Sequence, residues 1–223
     1  MNLKEKIIRR FYNKSLINIL LDELRYSGIF GYSGLTVFTK QINSKDCPIN
    51  NDADIKVAVE SDIDDQYNDI WLDRSSSIEH LQKGHSLFLI VKNKEYIFSG
   101  WIEKKEMKSP CLGINKLVFP TNVCYLTKLF VQPKYRGHGI AAKAFDFWEG
   151  YLFRTEGIDH YFGMVEFYNV ASSKLLSKKG YVPLLSFRYL IILGIKFYFV
   201  TYHNRRKKWK FYFNNYDFLK EAL

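Results

Sequence analysis

The sequence predicts an α/β (α+β) fold, a sandwich of helices around a mixed β-sheet. Segments in which apolar and polar residues alternate, as in strands, take turns along the chain with segments of helical periodicity. Of the 223 residues, 47% are hydrophobic and 25% are charged, as in globular proteins. A chain of this length can bury enough surface to fold without disulfides or metals.

The N-terminal part of the chain precedes the expected core. Apolar residues recur at near-helical spacing over residues 2–25, and Leu35–Ile42 has the composition of a strand. The polar, turn-rich stretch Asn43–Asp54 is typical of a linker. We therefore divide the chain into an N-terminal helix-plus-strand extension at 1–50, a main domain at 51–203 and a basic aromatic tail at 204–223.

The main domain is predicted to contain an alternating series of strands and helices. A long excursion at residues 104–121 interrupts the series. The expected strands are Ile55–Glu60, His85–Val91, Glu95–Glu103, Cys124–Val131, Tyr161–Phe167 and two closing strands on either side of Gly194. The expected helices are Asp64–Leu72, a second that starts at Ser75–Ser77 and runs to Lys83, Gly139–Phe153 and Val170–Lys179.

The apolar segment Val182–Tyr202 is long enough to need a decision between a membrane span and a hairpin. It contains Arg188 and Lys196, and charges inside a span are unfavourable. Gly194 separates two runs rich in β-branched and aromatic residues. The segment therefore predicts a hairpin of core strands.

Charge and cysteine content restrict the partners and the compartment. A formal net charge of +10 favours anionic partners, and part of it is concentrated in Asn204–Lys210. A solvated tail explains this run; contact with a membrane surface is the alternative, and nothing points strongly to nucleic acid. The three cysteines are scattered and Met1–Asn13 lacks a signal-peptide pattern, so we expect no metal site, no disulfide framework and a cytoplasmic location.

The most informative stretch runs from Phe130 to Ala141. A strand ends there, a tight turn follows, and a helix begins with two glycines and an alanine at its mouth. The first N–H groups of a helix lack partners within it and carry partial positive charge, which suits phosphate oxygens. Small residues let the backbone approach a diphosphate, and Lys134 and Arg136 add charge. The spacing excludes a P-loop and fits a dinucleotide fingerprint poorly; a turn without a ligand is the alternative.

Two motifs resemble those of the GCN5-related N-acetyltransferase (GNAT) superfamily. Arg136–Ala141, with the pattern R-x-x-G-x-A after a strand that ends at Val131, looks like its acetyl-CoA-binding signature. Asn169–Tyr181, in which an Asn opens a short helix that closes at a Gly-aromatic pair, is similar to its second motif. The motifs occur in the family's order, and the resemblance extends from about residue 54 to residue 181.

The resemblance implies a mostly antiparallel sheet of six to seven strands, with helices on both faces and a splay between two central parallel strands. It implies that backbone groups of Leu129, Phe130 and Val131 bind the pantetheine arm of acetyl-CoA, and that Asn169 reaches the same arm. Capping of the following helix is a second, compatible role for Asn169. The backbone groups that the resemblance assigns to the pyrophosphate are those of Arg136, Gly137, His138, Gly139, Ile140 and Ala141.

The same resemblance implies direct attack of an amine on the thioester, with a backbone N–H near Leu129–Val131 stabilising the oxyanion. In many members a Tyr seven residues after the motif Asn protonates the leaving thiolate, but Leu176 stands at that position here. Either another group, Tyr168 or a water, takes this role, or protonation of the thiolate is not assisted. Glu166 is the first candidate for the general base and Glu103 the second, and a surface or ion-paired carboxylate is the alternative for each.

We therefore expect an acetyl-CoA-dependent acyltransferase that acts on a primary amine of a small molecule, such as an amino sugar or an amino acid derivative. One alternative is a longer acyl chain from acyl-CoA or from an acidic carrier protein, which the net charge of +10 suits. The other is a non-catalytic CoA- or anion-binding module, which Leu176 favours. A homodimer remains open. The aromatic residues outside the motifs fit an acceptor pocket or an ordinary core equally well; they include Tyr67, Trp71, Trp101, Phe119 and Tyr125.

Overall fold

The computed structural model describes residues 30–44, 54–63, 74–93, 95–109, 114–203, 209–213 and 217–220. The helices expected at 2–25 and at Asp64–Leu72 lie outside these residues, as do Tyr67, Trp71 and residues 204–208 of the basic run. Within the described ranges, no helix is long and apolar enough to cross a membrane.

Most of the described residues belong to regular elements. The strands are β1 (Phe30–Gln41), β2 (Ile55–Val57), β3 (Ser86–Lys92), β4 (Glu95–Lys104), β5 (Glu106–Ser109), β6 (Ile114–Val118), β7 (Val123–Val131), β8 (His160–Glu166), β9 (Val182–Ile192), β10 (Ile195–Tyr202) and β11 (Trp209–Phe213). The helices are α1 (Arg74–Gln82), α2 (Ile140–Glu156), α3 (Val170–Lys178) and α4 (Asp217–Lys220). The strand expected at Ile55–Glu60 is shorter than predicted, because a 3-10 turn begins at Glu60. The excursion at 104–121 contains the separate hairpin β5–β6.

Nine of the strands within the described residues form one sheet, in the order β11-β10-β9-β1-β8-β7-β4-β3-β2. β7 and β8 are parallel, and the other neighbouring strands of this sheet are antiparallel. The predicted fold class is confirmed: a mixed, mostly antiparallel sheet with helices on both faces. The sheet has more strands than the six to seven expected, because segments assigned to the N-terminal extension and the C-terminal tail both join it.

β1 is the unexpected insertion. It comes from the predicted extension, yet it lies between β8 and β9 and pairs with both, for example Thr36 with Val165 and with Ser186. β11, from the predicted tail, pairs with β10 at the sheet edge. The three-part division of the chain stays a prediction, but neither strand is an appendage to the sheet. The hairpin predicted at Val182–Tyr202 is confirmed as β9–β10.

The core consists of apolar layers on the two faces of the sheet. On one face Trp148 of α2 packs edge-on against Phe88 of β3, with ring centroids 6.0 Å apart. On the other face Ile78 of α1 packs in a cluster with Trp101 of β4, and Phe218 of α4 closes the C-terminal strands. Alternate residues of each strand feed the two layers, as the pleat of a sheet requires.

A buried ion pair links β1 to α2. Lys40 Nζ donates to Glu149 Oε2 at 2.6 Å, and the Glu149 side chain has no exposed surface. The Lys40 ammonium also lies 5.5 Å from the centre of the Tyr181 ring. Burial raises the pKa of Glu149, and the hydrogen bond from Lys40 opposes that rise. Since a buried charge without a partner is strongly unfavourable, Lys40 fixes the inserted strand against the helix.

Replacing Lys40 with Met should lower the free energy of unfolding by about 3–5 kcal/mol at neutral pH, because the Glu149 carboxylate then stays buried without its cation. The loss should shrink as the pH falls through the raised pKa of Glu149, since the protonated carboxyl carries no charge. Urea denaturation at neutral pH and near pH ~4 measures both effects. The double variant Lys40→Met/Glu149→Gln should recover most of the loss; equal instability of single and double variants contradicts this account.

Candidate active site

The two parallel strands, β7 and β8, separate after a short ladder. The ladder begins with Val123 and His160 and ends with Leu126 and Gly163. Beyond it, β7 stays paired with β4 and β8 stays paired with β1. A V-shaped opening therefore lies between residues 127–131 of β7 and residues 164–166 of β8, and we call it the β7–β8 cleft.

A β-bulge in β7 lies at the cleft. Lys128 and Leu129 together face one residue of β4, Gly100, and Lys128 has a left-handed φ of 50°. A Cβ at position 100 would come within 2.9 Å of Trp148 and 3.0 Å of Leu129, so packing requires glycine there. A bulge leaves the backbone groups of its extra residue out of the ladder. The bulge thus places unladdered amides at the cleft.

Between β7 and α2 the chain makes a tight, open turn. Gly137 and Gly139 have left-handed φ values of 81° and 75°, and a Cβ on either would meet no atom within 4 Å. Bonding within α2 starts with the Lys143 N–H, which donates to the Gly139 carbonyl oxygen at 3.0 Å. The N–H groups of the first helical turn therefore have no acceptor within the helix, and that turn has no acidic side chain. This corner offers space, donors and partial positive charge to an anion.

The cations beside this turn have partners. Arg136 Nε donates to the Val131 carbonyl oxygen at 3.1 Å, which ties the start of the turn to its middle. Lys134 forms an ion pair with Glu95 at the start of β4, and its ammonium lies 5.1 Å from the centre of the Tyr135 ring. The charge expected from Lys134 is therefore partly neutralised, whereas Arg136 is held at the turn.

The second motif forms α3, next to β8. Asn169 Oδ1 accepts a hydrogen bond from the Ser172 N–H at 3.2 Å, so Asn169 caps this helix. Leu176 is buried, and its Cδ1 lies 4.0 Å from the Cβ position of Gly163, where the β7–β8 ladder ends. The Leu126 Cβ lies 3.6 Å from the same position. Aliphatic groups therefore line the narrow end of the cleft, and position 176 has no hydroxyl to give a proton.

Glu103 is a buried carboxyl on β4, beside the strand that lines the cleft. Burial raises its pKa to about 7, and the charge of Lys128 on the β-bulge partly opposes this rise. Burial also lowers the pKa of Lys128, whose Nζ lies 3.3 Å from His80 Nε2 on α1. A carboxyl that exchanges its proton near neutral pH has the property required of a general base.

Glu166 lies on the same face of the sheet as Glu103. Glu103, Tyr125 and Phe162 are opposite one another on adjacent strands, and Glu166 follows Phe162 by four residues on β8. The Tyr168 hydroxyl donates to a carboxylate oxygen of Glu166, so two of the predicted catalytic residues contact each other. They lie at the wide end of the cleft, where Tyr168 is exposed.

His85, His138 and His160 differ in their position relative to the cleft. His160 bonds to Asp159 at the start of β8, at the opposite end of the strand from the cleft. His85 accepts a hydrogen bond from the Lys104 N–H at 3.1 Å, and burial lowers its pKa to about 4. His138 is exposed in the glycine turn. In the described ranges no group of three His, Cys, Asp or Glu side chains could hold a metal ion.

The described aromatic residues that could have lined a pocket mostly belong to the core. Trp101 and Phe119 are buried, and Tyr125 stacks on Phe162 with ring centroids 5.0 Å apart. Sequence reasoning missed Lys128, whose charge acts on Glu103 from the bulge, and His80 of α1, whose Nε2 lies 3.3 Å from Lys128 Nζ. Lys128 had one available signal, since it is the single charged residue of β7.

Residues 56–181 match the family model for the acetyltransferase (GNAT) family. The match covers more than half of the chain and includes α1, the β7–β8 cleft, the glycine turn and α3. The chain belongs to the GNAT acetyltransferase family. The resemblance inferred from the two motifs is thereby confirmed, and with it membership in a family of acyltransferases.

Solved structures similar to this GNAT chain share little sequence with it. A conserved protein of unknown function from Staphylococcus epidermidis has 14% identity and a TM-score of 0.47, over 80% of this chain and 68% of that one. A GNAT-family acetyltransferase from Colwellia psychrerythraea has 16% identity and a TM-score of 0.48, over 72% of this chain and 55% of that one. A predicted acetyltransferase with acetyl-CoA from Clostridium acetobutylicum has 14% identity and a TM-score of 0.38, over 56% of this chain and 87% of that one. No curated protein matches significantly.

Replacing Glu103 with Gln should stabilise the protein at pH ~8 by up to about 3 kcal/mol. The folded-state pKa of about 7 lies above the ordinary value of 4.5, so the stabilising proton is bound at low pH and lost as the pH rises through 7. Near pH ~5 the two proteins should be almost equally stable, because the wild-type carboxyl is then protonated when folded. Urea denaturation at both pH values tests this, with the exposed Glu60→Gln as a control expected to change little. A pH-independent difference contradicts the assignment.

Proposed function

We propose that the protein transfers the acetyl group of acetyl-CoA to a primary amine of a small molecule, such as an amino sugar or an amino acid derivative. The observation that carries this proposal is the β7–β8 cleft, which opens after the pair formed by Leu126 and Gly163. The strand β7, which lines the cleft, leads directly into the glycine turn at the start of α2. An extended pantetheine arm needs a strand edge with unpaired backbone groups, and a diphosphate needs unpaired N–H donors. The cleft and the turn supply these two features in adjacent segments.

In this proposal the backbone of Leu129, Phe130 and Val131 binds the pantetheine arm, and the N–H groups from Arg136 to Ala141 bind the pyrophosphate. The side chain of Arg136 acts as a brace of the turn, through its bond to the Val131 carbonyl oxygen. Because Asn169 Oδ1 already accepts from Ser172, the amide nitrogen of Asn169 is the group that remains for the pantetheine.

Acetyl-CoA would supply the thioester whose acetyl group is transferred. The protein must then hold a substrate amine without its proton, since an ammonium has no lone pair for direct attack. Amides at the bulge, Lys128–Leu129, stabilise negative charge on the carbonyl oxygen. With Leu176 at the narrow end of the cleft, a water is the proton donor that we assign to the leaving thiolate.

Glu103 is the residue that we assign as general base, ahead of Glu166. Burial holds the pKa of Glu103 at about 7, so it can take a proton from an amine and release it to solvent at neutral pH. Glu166 accepts a hydrogen bond from Tyr168, which occupies one of its oxygens. Both carboxylates face the same side of the sheet as α1, which is where we place the amine.

Two alternatives remain for the donor and for catalysis. A longer acyl group from acyl-CoA or from an acidic carrier protein is favoured by the net charge of +10, and a non-catalytic module is favoured by Leu176. A thiol-release screen across amine classes, with acetyl-CoA, long-chain acyl-CoA and acyl carrier protein as donors, separates them. Turnover with acetyl-CoA supports the proposal; turnover with a longer donor alone, or CoA binding without turnover, refutes it.

Replacing Gly139 with Asn should weaken CoA binding by about tenfold or more, because the side chain fills the open space beside the first-turn amides of α2. Asn tolerates the left-handed φ of 75° at this position, so the fold should persist. Gly157→Asn is the matched control, since Gly157 has a φ of 67° and equally open surroundings at the other end of α2. Calorimetry with CoA measures both; unchanged affinity for Gly139→Asn means that the diphosphate binds elsewhere.

Replacing Glu103 with Gln should lower kcat/KM by roughly 10²-fold or more at neutral pH, and by less at high pH, where the free amine is already abundant. In the wild type, kcat/KM should rise with pH through the pKa of about 7 as Glu103 becomes a carboxylate. Glu166→Gln is the comparison and should change the rate by only about threefold, with no change in the pH profile. A larger, pH-dependent loss in Glu166→Gln would reverse the two assignments.

A further inference from the structure

The whole net charge of the chain resides in one stretch. Residues 167–216 contain ten Lys and Arg and no Asp or Glu, whereas the rest of the chain contains 23 basic and 23 acidic residues. The stretch includes α3, β9, β10 and β11. Lys174, Lys178 and Arg188 are exposed within it. The stretch is therefore strongly cationic in sequence, with Lys179 paired to Asp146 of α2, and the rest of the chain has no formal net charge.

The turn between β9 and β10 exposes aliphatic side chains within this cationic stretch. Ile192, Leu193 and Ile195 are exposed, and Leu193 is 78% exposed. Leu193 and Gly194 have left-handed φ values of 48° and 81°, and hairpin turns of this kind normally carry Asn, Asp or Gly first. The β3–β4 turn follows that rule with Asn93 at φ 52°. Turn geometry therefore does not explain why a strained leucine stands at this tip.

The apolar surface continues from the tip along one face of the sheet. Tyr32 on β1 pairs with Leu190, two residues before Ile192, and is exposed on the same face. Phe199 on β10 is exposed on this face as well, opposite Arg188. The other face of these strands is buried in the core. The aliphatic tip, the aromatic side chains of Tyr32 and Phe199 and the cation Arg188 therefore share one face of the sheet.

We propose that this surface docks the protein on an anionic lipid bilayer, with the side chains of residues 192–195 entering the interfacial region. Lys and Arg bind acidic head groups, apolar side chains partition below them, and aromatic side chains favour the boundary between the two. Phe30, the first residue of β1, pairs with Ile192 beside the same tip, and the 29 residues that precede it in the sequence include six basic and three acidic ones.

Other occupants fit this surface less well. Nucleic acid binds to a cationic surface through aromatic rings on which its bases stack, whereas here the most exposed side chain at the tip, Leu193, is aliphatic and the rings of Tyr32 and Phe199 lie behind the tip. A second copy of the chain would bring two stretches with ten cations each against one another. An acidic bilayer satisfies both the charge and the aliphatic tip.

The test uses the full chain and vesicles of equimolar phosphatidylcholine and phosphatidylglycerol, with pure phosphatidylcholine vesicles as the reference. Co-sedimentation should be strong with the acidic vesicles, weak with the neutral ones, and reduced by added salt. Leu193→Asn, which suits the left-handed turn and should fold, is expected to lower the partition coefficient by roughly tenfold. Val59→Asn is the matched control, since Val59 is also exposed, at 58%, but lies next to β2 at the opposite edge of the sheet.

Insertion of the tip is tested directly with Leu193→Trp. Its additional fluorescence, relative to the wild type, should shift to the blue on acidic vesicles and be quenched by brominated lipids. Absence of vesicle binding, equal binding by Leu193→Asn, or no quenching overturns the proposal. So does preferential binding of single-stranded nucleic acid, or self-association that Leu193→Asn abolishes without any vesicle binding.

Discussion

The candidate site depends on the point at which β7 and β8 stop pairing with each other, just before the bulge in β7. β7 is bonded to β4 as far as Val131, and β8 is bonded to β1 as far as Glu166, so each strand belongs to its own half of the sheet. Their mutual ladder has four residue pairs. Extending it toward Val131 would require β7 to lose its bulge at Lys128, which takes the extra residue out of the ladder. The cleft is therefore a property of the sheet itself, present before any ligand binds, which reduces the ordering that binding requires.

The two ends of the cleft differ in polarity. Leu126 and Leu176 make the narrow end apolar, whereas Glu166 with Tyr168 makes the wide end polar. Glu103 lies on the neighbouring strand β4, opposite Tyr125 and just beyond the narrow end, as a buried acid whose raised pKa is partly opposed by Lys128. A buried carboxyl that can ionise lowers the stability of the fold. Such a trade-off between stability and activity is common in active sites.

Local patterns predicted the elements well, because α2, α3 and the hairpins are defined by periodicity, caps and turn residues close in sequence. The capping role of Asn169 is one such local signal. The position of β1 was not predictable, since periodicity identifies a strand but not its neighbours, and its partners lie more than a hundred residues away. The environment of Glu103 has the same origin, because burial and Lys128 come from packing between strands. The bulge at Lys128 could not be predicted either, because no Gly, Asn or Asp stands at the position with the left-handed φ.

The position of β1 in the sheet also determines when this strand can pair during translation. β1 ends at Gln41 and its first partner, β8, starts at His160. The ribosome must therefore add about 120 residues before β1 can pair with a neighbouring strand. At about 5–20 residues per second this interval lasts roughly 6–24 s. The half of the sheet containing β2, β3, β4 and β7 can assemble meanwhile. Among the strands that the structure describes, β1 is translated first and yet is among the last to pair, so until then the nascent chain must keep Val37 and Phe38 from associating elsewhere.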